Sequence, residues 1–133
     1  MTSESSEYLS ELHQYVQKII KSLLAEFSAS SEQRAHDVLL KLKGPNLEQF
    51  TLVLGGEIAE VNYDDRFYGY EQLSDEREEL REFTREIVND IVVVSLRGIP
   101  MVERKKFLGA SKLVLPRENG VDFLLRKRHS SHF

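Results

Sequence analysis

Histidines and clustered carboxylates are the side chains here whose types suit catalysis or metal binding, so their spacing is the first question. Four histidines occur, at His13, His36, His129 and His132. A general base or a metal ligand needs a second functional group held at a fixed separation. His13 falls near the polar side of a helical pattern, and the H-S-S-H spacing of His129 and His132 lacks a third ligand. His36, beside Asp37, is the histidine nearest a predicted element, and a surface imidazole is its simplest reading. The acids Glu57, Glu60, Asp64 and Asp65 offer the oxygen that Mg²⁺ or Ca²⁺ prefers, but in no EF-hand pattern and no acidic motif of fixed spacing. No G-x-S-x-G elbow, G-x-x-x-x-G-K-[ST] loop or G-x-G-x-x-G turn is present. With no cysteine there is no thiolate nucleophile, disulfide or Cys-based zinc site. The expectation is a binding protein without catalytic residues, metal or cofactor.

The stretch "NYDDRFYGYEQLSDEREEL", residues 62–80, is the strongest candidate for binding. Four rings (Tyr63, Phe67, Tyr68 and Tyr70) stand among Asp64, Asp65, Glu71, Asp75, Glu76, Glu78 and Glu79. One or two rings would anchor a strand-to-helix crossover; four exceed that need in a chain that is 9% aromatic. Rigid rings supply contact area and charges steer a partner, the composition of an interface hot spot. Asp64, Asp65, Phe67, Tyr68, Tyr70, Glu71, Asp75, Glu76 and Glu79 are therefore the expected partner-binding residues, with Gly69 as a movable point among them.

The elements that must position these residues follow from periodicity. Leu9, Leu12, Val16, Ile19 or Ile20, Leu23 or Leu24, and Phe27 recur at helical steps, predicting a helix from about residue 6 to 28. Residues 32–43 fit a second helix or a strand with Val38, Leu40 and Leu42 inward; the strand is preferred, with a short helical turn at residues 31–34. "KGPN" is turn chemistry, "QFTLVLGG" a strand, and Gly55-Gly56 suit a tight turn of positive φ returning as "EIAEVNY". Residues 62–73 read as the crossover loop. Ser74 is the expected cap of a second helix, with Leu80, Phe83, Ile87, Val88 and Ile91 on its apolar face and an end between Ile91 and Arg97. "MVERKKFL", "SKLVLP" and "VDFLLRKR" read as strands, with "RENG" as a hairpin turn. The fold class is then α+β, an antiparallel sheet of five to six strands with two main helices on one face, in the order α-β-β-β-α-β-β(-β).

Length and charge bound the function. The 133 residues suit one domain, residues 1–133, with frayed ends at 1–5 and 129–133. At 41% apolar and 30% charged the chain is of ordinary globular composition, and no apolar run is long enough to span a bilayer. Without a basic start and apolar block at the N-terminus, the cytoplasm is the expected location. Net charge is −4, but it is segregated: residues 57–86 hold eleven acids against four arginines, residues 97–128 nine bases against three acids. "ERKK" and "RKR" would form a basic sheet edge, yet a pI of 5.6 weighs against nucleic acid, and edge lysines also block aggregation. A basic protein partner is the better expectation.

Size, the absence of cysteine, the α-β-β-β-α-β order and the "YDDRFYGYEQLSDEREEL" patch resemble the small, acidic α+β immunity proteins that neutralise bacterial polymorphic toxins. The resemblance implies a tight, non-catalytic complex covering a toxin's active site, with the nine residues named above as its contacts. Two alternatives stand beside it. One is a small-ligand or enzymatic domain with His36 or a carboxylate as general base; the other is a subunit of an assembly, in which the first helix pairs with its own copy as a homodimer.

Overall fold

In the computed structural model, which describes residues 3–73, 77–104 and 112–127, two helices and eight strands alternate in blocks. They are α1 (Ser3–Lys21), β1 (Ser28–Gln33), β2 (Val38–Lys43), β3 (Phe50–Leu54), β4 (Ile58–Tyr63), β5 (Phe67–Gln72), α2 (Arg77–Arg97), β6 (Val102–Arg104), β7 (Lys112–Leu115) and β8 (Phe123–Lys127). The strands form one antiparallel sheet in the order β1-β2-β3-β4-β5-β8-β7-β6. The expected α+β class holds, with two helices and a wholly antiparallel sheet. The sheet is wider than the five to six strands read from the sequence.

Alternation fixes which face is buried. Val38, Leu40 and Leu42 lie opposite Leu54, Leu52 and Phe50, which in turn face Ala59, Val61 and Tyr63. All but half-buried Tyr63 are buried, and they form one cluster with Leu9, Leu12 and Val16 of α1 and Leu80, Phe83, Ile87, Val88, Ile91 and Val94 of α2. Burying such a side chain contributes roughly 1.5–3 kcal/mol, and a one-residue slip in any strand would turn its apolar set to water. The two helices thus cover one face of the sheet and neither covers the other, the bare face, on which Asn62 and Val114 are nonetheless buried.

Three elements differ from the sequence reading. The first helix stops at Lys21, because the Ser22 hydroxyl donates to the Ile19 carbonyl (2.7 Å) and its amide bonds at short range. Leu23 and Phe27 still pack on the core from the connection. Residues 31–34 hold no helical turn: "SASSEQ" is edge strand β1, pinned by pairing with β2 despite its polar composition. Residues 67–72, read as crossover, are β5. The Gly55-Gly56 turn also forms without positive φ, which falls instead on Asn46, Asp64, Asp65, Gly98 and Gly120.

The end of α2 at Arg97 matches the sequence reading. Gly98 takes φ +63, and Ile99 donates its amide to the Val94 carbonyl (3.0 Å), satisfying a terminal helix acceptor. Ser95 ties this end to the β2–β3 turn: its hydroxyl donates to the Pro45 carbonyl, and its carbonyl accepts from Asn46 Nδ2 at 3.2 Å. The expected cap at Ser74, residues 105–108 of "MVERKKFL", and the tail with His129 and His132 lie outside the described residues.

Candidate functional site

The acidic-aromatic stretch folds into the β4–β5 hairpin. Asp64 and Asp65 occupy its tip at φ 56 and 58, with the Arg66 amide donating to the Tyr63 carbonyl at 3.1 Å. Two successive left-handed residues make a turn whose twist suits a hairpin, and Asp tolerates that conformation better than most residues. Arg66 Nε donates to Asp64 Oδ2 at 2.8 Å, so one of the two tip acids is locally paired. Tyr63 is structural: its ring meets Phe50 at 4.7 Å and its hydroxyl accepts the Glu48 amide at 3.0 Å.

Strand alternation then divides the expected partner-binding residues. Phe67, Gly69 and Glu71 point to the helix side, Tyr68, Tyr70 and Gln72 to the bare side. Phe67 is 4% exposed and belongs to the core, so it cannot contact a partner. Gly69 is no hinge either. A Cβ built there would sit 2.5 Å from the Leu124 carbonyl oxygen, so glycine is what lets β5 and β8 approach. Asp64 and Asp65 are at one end of β5 and Glu71 near the other, about 20 Å apart at 3.3 Å per residue. Glu79 is exposed on the first turn of α2, while Asp75 and Glu76 lie outside the described residues. The expected single patch is therefore several surfaces.

On the bare side, Tyr70 is 63% exposed and Leu124 41%. Tyr68, Tyr70, Leu124, Arg126 and Lys112 line one shallow groove over β5, β8 and β7. Tyr68 pairs with Arg126, and Arg126 with Lys112, directly across the sheet. The cationic C-terminal third thus meets the tyrosines through the pairing of β8 with β5.

On the helix side, Glu71, Glu79, Glu82 and Glu86 line a groove between the end of β5 and the start of α2, floored by Leu73 and Phe83. The one base among its lining residues is Arg117. Its guanidinium lies 5.7 Å from the Phe83 ring centroid, 3.4 Å from Glu86 Oε1 and 2.7 Å from Asp90 Oδ2. Asp90 is almost fully buried, and its other oxygen accepts the Glu118 amide at 3.1 Å. Neither Asp90 nor Arg117 was singled out from the sequence. The signal was there: Asp90 stands three residues after Ile87 on the apolar stripe, where a charge needs a partner.

The remaining candidates find ordinary places. His36 is exposed in the β1–β2 turn, where Asp37 pairs with Arg34 at 2.6 Å rather than with the imidazole. That hydrogen bond holds the Asp37 carboxyl below its usual range. His13 Nε2 and Ser31 Oγ are 3.0 Å apart, joining α1 to β1. Glu57 and Asp64 are separated by the length of β4, and among the described residues no group of three or more His, Asp or Glu is placed to hold a metal. A groove between α1 and α2, floored by Ile19, Leu23, Val88 and Val92 with Lys18 and Arg85 at its margin, lies open on the surface. No helix is long and apolar enough to cross a membrane among the described residues. No family model, curated protein or solved structure matches the chain.

Proposed function

We propose that this chain is a non-catalytic protein-binding domain that receives a basic partner in the carboxylate groove between β5 and α2, in the manner of an immunity protein neutralising a toxin. The observation that carries this reading is the alignment of Glu71, Glu79, Glu82 and Glu86 around the apolar floor of Leu73 and Phe83. A lysine or arginine lays its aliphatic stem on such a floor and its charge against the rim. Arg117 occupies the far end of the groove, its guanidinium over the Phe83 ring and against Glu86. Glu71 and Glu79 are retained from the expected contact set, Glu82 and Glu86 join it, and Tyr68 and Tyr70 leave it because they face the opposite side of the sheet.

The test is affinity capture with the tagged chain and its Glu79→Lys/Glu82→Lys variant, compared at low and high salt. The wild type is expected to retain a protein of high isoelectric point that the variant loses and that salt releases, since exposed charges are screened beyond roughly 8 Å at physiological ionic strength. In kinetic measurements with that protein, the variant should slow association by about tenfold or more. Capture that is indifferent to the charge reversal would overturn the assignment. A Tyr68→Ala/Tyr70→Ala variant should retain the basic protein as the wild type does.

A further inference from the structure

The register of the bare sheet face sorts its side chains into two parallel tracks. Tyr68, Arg126 and Lys112 are cross-strand neighbours on β5, β8 and β7. Two residues along each strand, Tyr70 and Leu124 stand on the same face, and Val114, which pairs with Leu124, is buried and closes the track on the β7 side. A cationic track thus runs beside an aromatic and aliphatic one, both perpendicular to the strands. The β4 neighbour of Tyr70 is Glu60, so a carboxylate bounds the tracks on the β4 side.

We infer that this face binds single-stranded nucleic acid, with bases on Tyr70, Tyr68 and Leu124 and phosphates on Arg126 and Lys112. Aromatic rings interleaved with cations on an open sheet form the stacking platform and electrostatic groove that single strands use. Strand geometry places the two tyrosines about 6.6 Å apart, nearly twice the ~3.4 Å rise of a stacked duplex strand. Bases must therefore be splayed to reach both rings, which a single strand permits and a duplex does not. An acidic peptide would engage the cations and leave the rings without a role. The acidic groove lies on the other side of the sheet, about 10 Å away at typical layer spacing, which is roughly one Debye length at 0.1 M salt, so its repulsion is weakened at the cationic track.

The test is fluorescence anisotropy with a labelled oligothymidylate at about 50 mM and about 200 mM salt, against a duplex of the same length and polyglutamate as competitors. The wild type is expected to bind the single strand in preference to both. Contact with two or three phosphates gives a slope of log K on log salt of about −1.4 to −2. Tyr70→Ala and Arg126→Glu, both at exposed positions, should each weaken binding by about tenfold with an unchanged circular dichroism spectrum. The Glu79→Lys/Glu82→Lys variant should bind the oligonucleotide at least as well as the wild type, so failure of one site is separable from failure of the other. No binding at about 50 mM salt overturns the inference. So does equal competition by duplex or polyglutamate, or an affinity unmoved by Tyr70→Ala.

Discussion

Replacing Gly69 with alanine would put a methyl group 2.5 Å from the Leu124 carbonyl oxygen and 3.1 Å from the Phe123 ring. The first neighbour is backbone and cannot rotate away, so the two strands must separate. Overpacking of this kind costs about 1–3 kcal/mol, and urea denaturation of Gly69→Ala should show a loss at or above that range. Tyr8 presents the opposite case, a hydroxyl with no hydrogen-bond partner among the described residues although its atoms are buried. Burial pushes its pKa above 10.0, partly offset by the Arg77 and Arg81 guanidinium groups, Arg77 lying 4.7 Å from the ring centroid. A raised folded-state pKa stabilises the protein below the unfolded value and is lost as pH climbs through the folded one. Tyr8→Phe should therefore be neutral or stabilising at pH 7, and the wild type alone should lose this increment above about pH 10 in paired denaturation curves. At this scale the sequence named the right residues around the hairpin but not their directions. Phe67 reads as a binding ring until the alternation of "FYGYEQ" is recognised, and Gly69 in its middle disguises that alternation as a loop.

Among the elements, α2 depends most on a contact far away in sequence. Asp90 joins it to Arg117 and to the Glu118 amide, with side-chain exposures of 5% and 10% for the two charges. Removing one member of a buried pair strands the other, at about 3–5 kcal/mol. Asp90→Ala should lose about that much stability, while a paired Asp90→Leu/Arg117→Met change should recover most of it; thermal unfolding of the three proteins distinguishes them. Local signals placed the meander and α2 well, because Val38, Leu40, Leu42 and Leu80, Phe83, Ile87 declare their periods. The polar strand β1 was illegible for the converse reason. Ser28–Gln33 has no apolar alternation of its own and becomes a strand through its ladder with β2 and the cover of α1.

For the whole molecule, the charge segregation along the chain becomes a segregation between faces. Acids gather where β5 meets α2, while Arg126 and Lys112 stand on the bare side. Sequence counting saw the two blocks but not their placement, which depends on β8 crossing back to pair with β5. That crossing has a further cost during synthesis. The ladder between β5 and β8 pairs Phe67 with Lys127 and Tyr68 with Arg126, and β8 leaves the ribosome after every other described strand. Until it emerges, Phe67–Gln72 is an unguarded rim onto which a neighbouring nascent chain can zip. A chain ending before Phe123 should therefore form pelletable aggregates, and capping that rim emerges as β8's first duty in the life of the protein.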